Sequence, residues 1–298
     1  MAKAGLPNGI ELEYEVHGEL SNPVILPILG VTDNITDWPA GLYEPLVDSG
    51  FCVIRHELRD SGFSTKFDAA GTPDLGAAQE TLLQGEIPPS DYTMHDVAAD
   101  TLALMEHLKI QHACVVGYSY GAAVAQLVAL RAPKKVSSLV CLQGSNYNAA
   151  LAPREARVNA AMAKATTRYD TVEESIEVMT ELRLTANGSR HAMSSRQART
   201  SAQTSVGRMF YPEGTARIVL SRMATRAFFE QTAEIICPTL ILHADEDPIF
   251  ALAHGEDMTA RIPGSELVVL NGAGHNHPES LQPIIARHLL DFALAHAV

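Results

Sequence analysis

The chain has 298 residues, 46% of them hydrophobic and 19% charged, the balance of an ordinary water-soluble globular protein with a sizeable core of its own. Its formal net charge of −13 argues against nucleic-acid backbones and anionic membrane surfaces as partners, because both need clustered Lys and Arg. No apolar run approaches the roughly 18 residues of a membrane span, and the start MAKAGLPNGIELEYEV lacks the apolar stretch of a secretory signal, so a cytoplasmic protein is expected.

In chain order, NGIELEYEVH (8–17) alternates apolar and polar residues and predicts a half-buried strand. PVILPILG (23–30), GFCVIRHEL (50–58) and ACVVGYS (113–119) are short apolar runs of the length of buried strands. VSSLVCLQG (136–144), PTLILHAD (238–245) and SELVVLNGAG (265–274) continue the series. Helical spacing marks 94–110, 122–133 (stopped by Pro133) and 281–297. Strands alternating with helices predict an α/β fold, a mostly parallel sheet with helices on both faces. The Gly-, Pro- and Ala-rich stretch 66–93 reads as a long loop with one short helix in AAQETLLQG. Residues 151–232 show helical patches and no strand, which predicts a helical cap inserted into a core made of 1–150 and 233–298. That segment carries twelve Lys and Arg against eight Asp and Glu.

The most specific feature is Gly117-Tyr118-Ser119-Tyr120-Gly121, a G-x-S-x-G directly after a buried strand and before a helix. A sharp turn there lifts the Ser119 hydroxyl above the sheet at a helix N-terminus, where free N–H groups favour developing negative charge. Such a serine needs a base, and the base needs an orienting acid. His275 in NGAGHNHP is the expected base, favoured over His277 because Gly274 before it suits a sharp turn. Asp247 in HADEDPIF is the expected acid, with Asp245 and Glu246 as alternatives on the same loop. Oxyanion donors are expected from the backbone N–H of Tyr120 and, in the loop LGVTDNITDWP, of Val31. Trp38, Tyr118 and Tyr147 are expected to line a substrate pocket at the carboxyl ends of the strands.

The segments LGVTDNITDW, VIRHELRDSGFS, VVGYSYG, LILHADEDP and GAGH occur in the order found in α/β-hydrolases, and the chain resembles that superfamily over most of its length. Within it the chain is most similar to polyketide esterases of the aclacinomycin methylesterase group and to related macrolide esterases. The resemblance implies an α/β-hydrolase fold, a triad of Ser119, Asp247 and His275 and oxyanion donors at Val31 and Tyr120. It also implies hydrolysis of a bulky ester or lactone without a cofactor, and antibiotic inactivation if the substrate is a macrolide. Departures are Leu29 where many members have His, Glu57 for a common Asp, Asp60-Ser61 for a common Gly-x, and the longer 66–93 loop. Carbon–carbon bond hydrolysis, cofactor-free perhydrolysis and a triad-retaining ligand receptor use the same residues and stay open.

Other groupings have simpler readings. Arg55, His56, Glu57, Arg59 and Asp60 are expected to form a salt-bridged turn rather than a metal cluster, and no ligand set completes a zinc site around His275 and His277. Cys52, Cys114, Cys141 and Cys237 lie in or beside apolar runs, so buried free thiols of a reducing compartment are expected. Arg183, Arg190, Arg196 and Arg199 are expected on a solvated helical face.

Overall fold

A computed structural model describes residues 1–297. In its first half, β1 (Ala2–Gly5), β2 (Glu11–His17), β3 (Val24–Ile28), α1 (Ala40–Asp48) and β4 (Cys52–His56) precede α2 (Leu75–Leu83), α3 (Met94–His107), β5 (Ala113–Tyr118), α4 (Tyr120–Arg131) and β6 (Val136–Leu142). Four helices follow: α5 (Ala156–Ala165), α6 (Val172–Thr185), α7 (Ser195–Arg208) and α8 (Pro212–Met223). The chain then returns through β7 (Thr239–Ala244), α9 (Leu252–Arg261), β8 (Glu266–Leu270) and α10 (Gln282–Ala295).

The eight strands form one sheet in the order β1-β2-β4-β3-β5-β6-β7-β8. β1 and β2 pair antiparallel, β2 runs antiparallel to β4, and all later pairings are parallel. All seven expected strands are present. Their continuous apolar character follows from double-sided burial. Leu26 and Ile28, Val115, Leu139 and Ile241 enter a core shared with α3, α4 and Met258 of α9. Their sequence neighbours Ile25, Val116, Val140 and Leu242 enter the opposite core, against Leu42 and Leu46 of α1 and Ile285 and Leu289 of α10. This alternation is the two-residue period of a strand read on both faces.

Three elements had no sequence expectation. β1 is a four-residue edge strand, α1 contains Pro45, and α9 buries only His254, Gly255 and Met258. β1 is too short to set a period, and Pro45 argues against a helix at 40–48.

The excursion between β6 and β7 is not one unit. Helices α5 to α7 share a core of their own that includes Val158, Met162, Ile176, Met179 and Val206. By contrast, Ile218 of α8 and Phe228 belong to the main core. Leu220 and Met223 of α8 pack on Ala78 of α2, the short helix inside the 66–93 stretch. Buried ion pairs fasten the excursion to the sheet: Arg208 to Glu57 at 2.5 Å, Arg217 to Asp60 at 2.9 Å and Arg183 to Asp37 at 2.7 Å. The charged residues of 55–60 are all paired, but not with one another as expected: Arg55 pairs with Glu15, Glu57 with Arg208 of α7, Arg59 with Asp100 of α3 and Asp60 with Arg217 of α8. His56 is buried among them with no hydrogen-bond partner on either ring nitrogen, and burial lowers its pKa to about 4. All four cysteines are buried free thiols.

Candidate active site

Strand β5 delivers Ser119 into the turn before α4 with φ 56° and ψ −120°, a strained conformation for a side-chain-bearing residue. The strain persists because the surroundings over-determine it. Ser119 donates its amide to the Leu142 carbonyl at 3.0 Å. A Cβ at Gly121 would collide with the Ile28 carbonyl and one at Gly117 with the Gly121–Ala122 backbone. Only bare backbone allows β3, β5 and α4 to approach this closely, which is the physical content of the G-x-S-x-G spacing.

Above this turn the loops after β7 and β8 converge. The Ser119 hydroxyl lies 2.9 Å from Nε2 of His275, and Nδ1 of His275 lies 2.7 Å from Oδ2 of Asp247. The other oxygen of Asp247 accepts the amides of Ile249 at 2.8 Å and Phe250 at 3.0 Å, which holds the carboxylate in one rotamer. His275 is placed through its backbone: its carbonyl accepts the Tyr118 hydroxyl at 2.6 Å, and its amide donates to Ala186 at 2.8 Å. A hydroxyl, an imidazole and a buried carboxylate in series can move a proton off the hydroxyl while the carboxylate holds the ring and balances its charge.

The alternatives do other things. Asp245 accepts the Gly272 amide at 2.7 Å, and Glu246 holds Ser189 through both its amide and hydroxyl; both acids tie loops together. His277 is buried and hydrogen-bonds the Gln143 side-chain oxygen at 2.8 Å. Because that oxygen is an acceptor, Nε2 of His277 carries the proton. Burial, then the neighbouring His275, lowers its pKa to about 3, so the ring is neutral. Gln143 also donates to the Gly274 carbonyl, so this pair braces the loop that carries His275.

Ser119 and His275 open into a cavity of about 680 Å³ between the sheet and α5 to α7. Its lining mixes apolar side chains (Val31, Met162, Met179, Leu182, Ile249) with polar ones (Thr36, Asp37, Arg183, Thr200, Thr204). Among the described residues, the amides of Val31 and Tyr120 donate to no protein acceptor, which leaves both available for an oxygen bound beside Ser119. No group of three or more His, Cys, Asp and Glu side chains among the described residues is arranged to hold a metal ion. No helix among them is long and apolar enough to cross a membrane.

The family model for the alpha/beta hydrolase fold matches residues 23–279. The chain belongs to this family. Rhodomycin D methylesterase DnrP of Streptomyces peucetius is 24% identical over 295 residues, covering 93% of this chain and 93% of that protein. Among solved structures, the enol-lactonase of Burkholderia xenovorans LB400 superposes with a TM-score of 0.74 at 21% identity, covering 98% of this chain and all of that one. The meta-cleavage product hydrolase CumD of Pseudomonas fluorescens IP01 gives 0.72 at 17% identity, covering 99% and 98%.

In this α/β-hydrolase, three sequence expectations need correction. Trp38 is wholly buried and packs edge-on against the His277 ring beneath the cavity. Tyr147 packs edge-on against Phe250 under Arg222, and neither Trp38 nor Tyr147 borders the cavity. Tyr118 does, with its hydroxyl spent on His275. Arg183 is not on a solvated face: it is buried, bonded to Asp37, Ser201 and the Met179 carbonyl, and borders the cavity. Arg196 also borders it, whereas Arg199 pairs with Glu173 at the surface. The sequence reading passed over Gln143 and the acidic pair Asp33 and Asp37. Gln143 lies one residue after β6 with φ 45°, a strand-end position at which a polar residue in QGS was the available signal.

Proposed function

We propose that this chain hydrolyses carboxylic esters through an acyl-enzyme, with Ser119 as nucleophile. Oγ attacks the ester carbonyl carbon while Nε2 of His275 takes its proton. The tetrahedral oxygen is held by the Val31 and Tyr120 amides, each such donor being worth about 10²–10³ in rate. His275 then protonates the departing alcohol, and a water deprotonated by the same nitrogen attacks the acyl carbon, releasing acid and free Ser119. The observation that carries this reading is the unbroken series from Ser119 through His275 to Asp247 at the floor of the cavity.

The substrate class we propose is a bulky polyketide-type ester, a polycyclic methyl ester ahead of a macrolactone. The cavity volume supports it, since such volumes suit drug-sized molecules. So does full-length similarity to a protein named as a methylesterase. The test incubates the protein and its Ser119→Ala variant with p-nitrophenyl esters, anthracycline methyl esters and 16-membered macrolides, with products read by mass spectrometry. Methyl loss from an anthracycline ester, or addition of water to a macrolide, is expected only with the parent protein. Kcat on the best ester should fall by about 10⁴–10⁶ in Ser119→Ala. No ester turnover, or turnover undiminished in the variant, overturns the proposal.

A further inference from the structure

His275 is also reached from outside the sheet. Residues 186–194 connect α6 to α7 and lie against the loop 272–276 that carries it. The Ala186 carbonyl accepts the His275 amide at 2.8 Å, and the Gly272 carbonyl accepts the amides of Arg190 at 2.9 Å and His191 at 3.0 Å. His191 and Ala273 pair as a parallel bridge. The two backbones touch with no side chain between them: a Cβ at Gly188 would collide with Ala273 and Gly274, and one at Gly274 with the Ala186 carbonyl. At one end of this contact Glu246, from the loop after β7, accepts the Ser189 amide at 2.5 Å and its hydroxyl at 2.6 Å. At the other end the half-buried Asn276 donates from its side chain to the Arg183 carbonyl, in the last turn of α6, and to Oδ1 of Asn187 at 3.1 Å.

The sheet holds the His275 loop by its carbonyls, through Gln143 on Gly274 and Tyr118 on His275. The amide of His275 is held by the α6–α7 connection alone. With glycines at 272 and 274 the loop has little stiffness of its own, and a misplacement of about 1 Å at a reacting group can cost about 10² in rate. We propose that the α6–α7 connection sets the position of the base, and that Asn276 is a positioning residue for His275. By fastening Arg183 and Asn187 beside His275, Asn276 keeps the imidazole at its 2.9 Å distance from the Ser119 hydroxyl. It acts through the backbone and not by touching the reacting atoms. Because α6 and α7 also border the cavity, the elements that enclose a substrate are those that hold the base in register. The proposal rests on Ser119 being the nucleophile and His275 its base.

The test compares the parent protein with Asn276→Ala on p-nitrophenyl acetate and p-nitrophenyl octanoate, and in the rate of Ser119 labelling by a small alkyl fluorophosphonate, with Ser119→Ala as the blank. Acetate leaves most of the cavity empty, so a residue that only grips the acyl chain would not affect it. For Asn276→Ala, kcat should fall by the same factor on both esters, about tenfold to hundredfold, with KM within about threefold and labelling slowed in step. Hydrogen exchange read by mass spectrometry should show the segments 186–191 and 272–276 losing protection together while the sheet keeps its own. Glu246→Ala, a change at an exposed residue, frees Ser189 at the other end of the contact and should lower kcat on both esters by about threefold or more. A loss confined to octanoate or to KM, exchange unchanged in both segments, or parent kcat in Asn276→Ala overturns the proposal. If Asn276→Ala does not fold, parent kcat in Glu246→Ala does so. Absence of labelling in the parent protein, or labelling that persists in Ser119→Ala, instead removes the reading on which the proposal rests, and the proposal with it.

Discussion

Replacing Arg217 with Met should unlatch α8 from the sheet without touching the triad. Asp60 has a fully buried carboxylate that accepts four donors: Nε and one terminal nitrogen of Arg217, the Tyr92 hydroxyl and the Phe67 amide, each at 2.9 Å. Methionine fills most of the arginine's volume but removes both charged donors and strands the anion on two neutral ones. Breaking a buried pair in this way costs about 3–5 kcal/mol. With an unfolding entropy near 2.1 cal/mol/K per residue, the whole chain melts with about 0.6 kcal/mol/K, so Tm should fall by about 5–8 °C. Urea unfolding of Arg217→Met, Asp60→Asn and the double variant closes a cycle. Asn is among the residues that best tolerate the positive φ of 64° at position 60. The double variant holds no stranded charge, so its loss should be smaller than the sum of the single losses by at least about 1–2 kcal/mol. Additivity within about 0.5 kcal/mol, or a Tm loss under about 2 °C, would refute the claim that this pair fastens the helix.

Further outcomes follow from the same contacts. His275→Ala should lower kcat about as far as Ser119→Ala, by roughly 10⁴-fold or more. His277→Gln should instead lower the unfolding midpoint and leave kcat within about tenfold, because the ring braces Gln143 and does not reach Ser119; the reverse ranking would exchange the two roles. Stability should decline as pH falls from 6.5 towards 5. His56 and His277 have folded values of about 4 and 3 against an ordinary 6.5, so in this window the unfolded chain binds protons that the folded chain refuses. Each contributes up to about 1.4 kcal/mol per pH unit, and urea midpoints that do not move between pH 6.5 and 5 would contradict it. Gly188→Ala should slow turnover by about tenfold or more at little cost in substrate affinity. Its Cβ would meet the Ala273 carbonyl carbon at 2.5 Å and the Gly272 oxygen at 2.6 Å, pushing away the loop that carries His275; unchanged kcat would show that this loop tolerates displacement.

The chain order of strands and helices, the strand–turn–helix setting of Ser119 and the loops bearing Asp247 and His275 were all legible in the sequence. Each rests on local signals: the double-sided apolar runs of parallel strands, the glycines that a tight turn demands, and a polar group placed just beyond a strand end. Where those signals are weak, as in the four-residue β1 or the Pro-containing α1, the elements went unread. Only the tertiary structure decided which polar and aromatic side chains face the cavity. Arg183 has the composition of a solvated helix face, yet it is buried because Asp37, 146 positions earlier, meets it. Trp38 was placed at a pocket because it lies on a loop beyond a strand end, but α10 and the His277 loop close over it. Local patterns specify the backbone. The environment of a charge is a sum over neighbours that the fold alone brings together.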